Sequence, residues 1–179
     1  VEIGPSPSFE GLADEKKRMV AGIWEQEQKR KGGRLFNGMI LSAVEFNEKK
    51  LRGQFVPYKY FLAQTCDPSL KPDLKILPVS LSGLTMTDTS FILAKRASWV
   101  TQYPDLYELA PSGGVTELPF QETTIDLKGQ LLEGLQEEVG IDRSLVKKVK
   151  FFALIRDHQA DAVELIADIE AKPFSLQSS

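Results

Sequence analysis

The chain has 179 residues, of which 42% are apolar and 26% charged, and its formal net charge is −3. That length suits one domain with a sizeable core, and the slight acidity argues against a general affinity for nucleic acid or anionic membrane. No apolar run approaches the roughly 18 residues that cross a bilayer, and no signal peptide is visible.

Residues 1–8 carry Pro5 and Pro7 between serines and glycine, which reads as an irregular leader. From about Phe9 to Lys31, Leu12, Met19, Val20, Ile23 and Trp24 recur at helical spacing, and Gly32-Gly33 stops the run. A hairpin is expected next: Met39 to Phe46, a turn over Asn47-Glu48-Lys49-Lys50, and a return from Leu51 to Val56. Tyr58 to Gln64 reads as a short helix and Cys66 to Asp73 as a loop with two prolines. Cys66 is the single cysteine and His158 the single histidine. An intrachain disulfide and a Cys/His zinc cluster are thereby excluded, and a reducing, cytoplasmic setting is the simplest expectation.

The second half reads as richer in strand. Ile76 to Leu81 and Phe91 to Ala97 are β-like, and Leu106 to Ala110 is a short strand leading into the glycine turn Pro111-Ser112-Gly113-Gly114-Val115. A helix follows from about Asp126 to Val139, and Val149 to Ile155 with Ala162 to Ile169 make a final strand pair. Strands flanking helices, without a regular βαβ rhythm, predict a mixed α/β sandwich in one domain over 1–179.

The helix at 126–139 carries the chemistry. At about 100° per residue, Leu127, Leu131, Leu135 and Val139 share one apolar stripe. Glu137 falls well out on the polar side, whereas Glu138 lies on the margin of the stripe beside Leu131. A carboxylate there is partly desolvated unless a cation or hydrogen bonds favour its charged form. Gly134 falls between the two glutamates and costs about 1 kcal/mol relative to alanine in a helix interior. Taken alone, two acids before Gly140 also describe an ordinary solvated helix end.

The order of parts sharpens this. A strand, a Pro-x-Gly-Gly turn, an amphipathic helix ending Leu135-Gln136-Glu137-Glu138-Val139-Gly140-Ile141 and a strand hairpin together resemble the Nudix box, G-x5-E-x7-R-E-U-x-E-E-x-G-U, with U aliphatic. The end of the pattern fits without a mismatch; the beginning does not. Glu133 stands where the pattern has arginine, Gly134 where it has glutamate, and Phe120 where it has its first glutamate. The spacing needs a five-residue insertion around Pro119-Phe120-Gln121-Glu122-Thr123. The similarity covers about Phe91 to Ile169, and the longer N-terminal part looks like the divergent group that includes UDP-sugar diphosphatases. The family implies another strand and a final helix after about Ala171, which this sequence does not offer. The start at Val1 and the end in Ser-Leu-Gln-Ser-Ser read as a trimmed or partial chain.

The resemblance implies a Nudix-like α/β/α sandwich with a mixed sheet. It also implies a hydrolase of nucleoside diphosphates linked to another group, with nucleotide sugars first among them. Mg²⁺ or Mn²⁺ would be held by Glu137 and Glu138, with Glu133 or Glu117 supplying a further carboxylate. Gly113, Gly114, Lys95 and Arg96 would meet the diphosphate. A second reading stays open: a Nudix-fold ligand-binding or protein-interaction module that has lost catalysis with the box's arginine and first glutamate. Oligomeric state is not legible. His158, with Asp157, Asp161 and Glu164, sits in an expected hairpin loop, where an exposed turn is the ordinary reading and a general base the alternative. Lys29, Arg30, Lys31 and Arg34 read as a solvated helix end, and Trp99 and Tyr103 as packing residues.

Overall fold

Residues 1–98, 100, 102–117 and 125–173 are described by the computed structural model of the chain. Trp99, Thr101, residues 118–124 (with the insertion expected around Pro119 to Thr123) and the tail 174–179 lie outside them. By internal contact the chain forms two compact units. One is Val1–Pro78 with Thr116–Ile125, and the other is Val79–Val115 with Asp126–Ser179.

In the first unit the hairpin forms where the alternation places it, as β2 (Met39–Phe46) and β3 (Leu51–Pro57), preceded by β1 (Glu2–Ile3). Asn47 shapes the turn, its Oδ1 accepting the N–H groups of Lys49 and Lys50 at 2.9 and 3.0 Å. β1 adds in parallel to β3, giving the order β1-β3-β2. A helix α1 (Asp14–Arg30) and a shorter α2 (Tyr58–Cys66) pack with this sheet. Val20, Val56, Ala63, Leu70, Leu74 and Ile76 form the buried core, with Leu12, Met19 and Ile23 against it.

Three expectations in this unit are corrected. The leader at 1–8 is not irregular throughout: Glu2–Ile3 pairs with β3 as β1, and the Gly4 N–H donates to Gly53 O at 2.8 Å. The segment after Cys66 is not a plain loop: Asp67 caps a 3₁₀ turn at Pro68–Leu70 by accepting the Ser69 N–H at 3.0 Å, and α3 (Lys71–Leu74) follows. Pro72 is tolerated because a helix's first turn has no use for its missing N–H. The strand expected from Ile76 starts later, because Ile76 and Leu77 are engaged elsewhere. The buried Gln64 side chain takes both backbone groups of Ile76, at 2.7 and 2.9 Å. Leu77 bonds Ser42 Oγ and the Ala43 N–H.

The second unit is built on a mixed sheet of order β7-β4-β9-β8. Its strands are β4 (Val79–Met86), β7 (Ser112–Gly114), β8 (Val146–Asp157) and β9 (Ala162–Ala171). A two-stranded ribbon of β5 (Leu93–Lys95) and β6 (Tyr107–Leu109) stands beside it. β4 pairs antiparallel with β7 and parallel with β9, and β9 pairs antiparallel with β8. The mixed α/β class is as the sequence predicts. The glycine turn is not: Ser112-Gly113-Gly114 is an edge strand laddered to Ser80–Ser82. A strand partner distant in sequence overrides the local turn preference.

Helix α4 (Leu127–Val139) closes one face, touching β4 and β7. Asp126 caps it by accepting the Gly129 N–H at 2.7 Å, and Gly140, at φ +75°, ends it. The apolar stripe is as expected at its centre, with Leu131 and Leu135 buried, while Leu127 and Val139 are half-buried. Gly83 in β4 is a close-approach position. A Cβ there would stand 2.5 Å from Ile169 Cδ1 and 2.7 Å from Pro111 Cδ.

Candidate functional site

The last turns of α4 run alongside β7, and this contact organises the site. On β7, Pro111 O accepts the Gly83 N–H and the Val115 N–H donates to Val79 O, so residues of that parity face β4. Ser112 has the opposite parity, and its N–H points out from the free edge of the sheet. Glu138 fills that vacancy, its Oε2 accepting the Ser112 N–H at 3.0 Å. Its other oxygen, Oε1, lies 3.9 Å from where a Gly113 Cβ would stand and 3.5 Å from where a Gly134 Cβ would stand. Both glycines therefore leave room around this carboxylate.

Gly134 has a further reason to be glycine. A Cβ at this position would also meet Pro111 Cβ at 3.3 Å, tighter than ordinary van der Waals contact. The helix approaches the start of β7 closely here, and the position is a packing contact.

The electrostatics follow from that setting. Glu138 is exposed by surface area, yet the protein packed against its carboxylate partly desolvates it and pushes its pKa up from the ordinary 4.5; the Ser112 N–H opposes this, the charges of Glu108 and Glu137 add to it, and Arg96 opposes it. Desolvation on the margin of the apolar stripe is what the helical wheel predicts, and the structure adds which neighbours act. Arg96 is held by an ion pair with Glu108, each side chain 23% exposed, and by a hydrogen bond from Nε to Gln102 O at 3.0 Å. Three carboxylates, Glu108, Glu137 and Glu138, thus act together against one guanidinium. Such a site repels a bare anion and favours a cation.

On the neighbouring strands a second polar chain meets Ser112. Ser82, 1% exposed, donates its hydroxyl to Glu164 Oε1 and lies 3.2 Å from Ser112 Oγ. Ser82, Ser112 and Glu108 were not singled out from the sequence. The alternation along β4 and β6 carries the only hint of Ser82 and Glu108, which it places between apolar positions; Ser112, in a segment that reads as a turn, has none.

The other expected site residues are dispersed. Lys95, at the end of β5, pairs with Asp105 at 3.8 Å. Glu133 is exposed on α4, and the charged neighbours acting on Glu138 are Glu108, Glu137 and Arg96. Gly113 and Gly114 are exposed on the edge strand. Glu117 belongs to the first unit, where its N–H donates to Met39 O. His158 is exposed at the tip of the β8–β9 hairpin. Asp157 shapes that tip, accepting the Gln159 and Ala160 N–H groups and, at 2.8 Å, the Tyr103 hydroxyl. Among the described residues no three His, Cys, Asp or Glu side chains converge closely enough to hold a metal by themselves, and no helix is long and apolar enough to cross a membrane.

No protein-family profile matches the chain, and no curated protein matches by sequence. Among solved structures, the chain is similar to the crystal structure of Tm1382, described as a candidate Nudix hydrolase. The TM-score is 0.35 and the identity 17%, over 86% of this chain and 77% of that one.

Proposed function

We propose that the chain is a Nudix-type hydrolase acting on a nucleoside diphosphate linked to a second group, with nucleotide sugars the first substrates to test. The observation that supports this reading is Glu138. The second acid of the E-E-x-G-U helix end is held against the backbone of the Pro-Ser-Gly-Gly strand, with its charged form disfavoured by partial desolvation and by neighbouring carboxylates. A carboxylate in that state gains from a cation.

Glu137 and Glu138 are the residues that would hold Mg²⁺ or Mn²⁺. Their oxygens are the hard donors such ions take, and Mg²⁺ is commonly held by only one or two carboxylates, with waters and substrate phosphates completing the shell. The ion would supply Lewis-acid polarisation of a phosphoryl oxygen and a more acidic water. The chain's own residues do the remaining work: Ser112 orients Glu138, and Arg96, once exchanged from Glu108, meets a phosphate oxygen.

One observation favours a second reading, ligand binding without turnover. Gly134 packs against Pro111 where the box pattern places a glutamate, so the helix lacks the acid usually given the base's role. Incubating the protein with UDP-glucose and ADP-ribose in Mg²⁺ or Mn²⁺, with Glu138→Gln as comparison, separates these readings. Release of nucleoside monophosphate that the variant loses supports the hydrolase. Metal-dependent binding without product supports the binding module. Neither turnover nor binding overturns the assignment of this site.

A further inference from the structure

The first unit carries an open groove of about 400 Å³ that the reading of α4 does not use. That volume is within the range of small-molecule sites, roughly 300–1,000 Å³. Its apolar wall is made by Pro7, Phe9, Met39, Pro57 and Tyr60. The Phe9 and Tyr60 rings stack at 3.9 Å between centroids and 23° between planes, which fixes this wall as a rigid surface.

The polar rim is unbalanced. Lys59 holds its ammonium 5.2 Å from the Tyr60 centroid and has no carboxylate partner among the described residues. Asn37 spends its Oδ1 on the Lys59 N–H at 2.8 Å, so its amide NH₂ is the end left to face a ligand. Lys17 reaches the rim with Nζ on Glu10 O at 2.6 Å, and Ser6 adds a hydroxyl. Against these donors stands the lining carboxylate of Glu10, and Lys17 also pairs with Asp14 Oδ1 at 3.7 Å, so Lys59 is the rim ammonium that lacks a carboxylate. The Lys59 ammonium, an amide and a hydroxyl over an aromatic wall suit a ligand with a planar apolar body and a single negative group. A bare inorganic anion would leave the wall unused, and a neutral aromatic would leave Lys59 unpaired.

We propose that this groove is a binding site for a small aromatic carboxylate, its ring against Phe9 and Tyr60 and its carboxylate on Lys59 and Asn37. A charge-assisted contact at a half-buried ammonium distinguishes charged from neutral ligands by about tenfold, equivalent to 1.4 kcal/mol.

The test is a site-resolved amide NMR titration of the full chain with 2-naphthoate, the neutral isostere 2-naphthamide, and acetate. Naphthoate is expected to shift the amides of Phe9, Glu10, Met39, Lys59 and Tyr60 while leaving those of Ser112, Gly113 and Gly114 in place. Naphthamide and acetate are each expected to bind about tenfold more weakly, and Lys59→Gln to bring naphthoate to the level of naphthamide. Lys59→Arg should retain most of the binding, which guards against a folding defect in the first variant. Shifts absent up to about 10 mM naphthoate, a range that reaches very weak binding, would overturn the proposal. Equal binding of acid and amide, or shifts confined to Ser112–Gly114, would also overturn it.

Discussion

Replacing Gly83 by alanine tests whether the sheet beneath α4 sets the position of the candidate site. The new Cβ would stand 2.7 Å from Pro111 Cδ and 2.5 Å from Ile169 Cδ1. Ordinary carbon–carbon contacts lie at about 3.5–4.0 Å, so about 1 Å of space is missing on each side. Ile169 can turn its terminal methyl, but the residue is fully buried and any new rotamer must find room in a packed core. Pro111 has less freedom: its ring is rigid, and its carbonyl accepts the Gly83 N–H at 2.8 Å. Overpacking of this kind costs about 1–3 kcal/mol, while alanine recovers about 0.4–1 kcal/mol through a less flexible unfolded chain. The expected net loss is about 1–2 kcal/mol in urea unfolding. Because Pro111 directly precedes Ser112, the same substitution should move the Ser112 amide resonance and alter the titration of Glu138. A variant of wild-type stability with an unchanged Ser112 amide would refute the argument that Gly83 exists to admit Pro111.

Three further outcomes are expected. Leu135→Ala, at a fully buried position, should cost about 2–5 kcal/mol in urea unfolding, and a loss below half a kcal/mol would mean that the α4 stripe is not core. Glu138 has a raised pKa in the folded chain, so between the ordinary 4.5 and that raised value the folded state holds a proton the unfolded state has released. Stability from this group therefore falls as pH rises through that window. Urea melts from about pH 4 to 7 should show a slope there that Glu138→Gln removes, and an unchanged slope in the variant would assign it to other groups. Asp126→Ala should destabilise by about 0.5–2 kcal/mol through loss of the α4 cap, read by thermal unfolding, with no change expected if the Gly129 N–H finds water instead.

The parts of this fold that are legible in sequence are those whose causes are local. The β2–β3 hairpin follows from alternation plus one asparagine, and α4 follows from its period and a terminal glycine. The margin position of Glu138 is a property of the helix alone, and so its desolvation is foreseeable. What a single sequence conceals are partners brought by other elements. Ser112-Gly113-Gly114 carries turn chemistry, yet β4 supplies a ladder that extends it. Ile76 reads as strand, yet the Gln64 amide takes its backbone groups first. The close approach of Gly134 to Pro111, the grip of Glu108 on Arg96 and the Ser82–Glu164 bond each join residues from separate elements, and no local period announces them. Lys95 and Arg96 are adjacent in sequence, but Lys95 pairs with Asp105 and Arg96 with Glu108, and of the two only Arg96 acts on Glu138.

The placement of β4 has a consequence for how the chain acquires its structure. β4 is an interior strand, and its parallel partner is β9, with Val79 against Val163 and Met86 against Glu170. Most of the chain's second half is synthesised between the two. Parallel pairing of this kind cannot be nucleated by a turn, and it forms only after a long loop has closed. Until β9 arrives, β4 presents an open backbone edge with Val79 and Leu81 on it, a surface prone to pairing with other chains. The β8–β9 hairpin, by contrast, closes locally through the Asp157 tip. The order of events is then set by topology: hairpin first, central seam last. By that order β4 lacks its parallel partner from its synthesis until the seam closes.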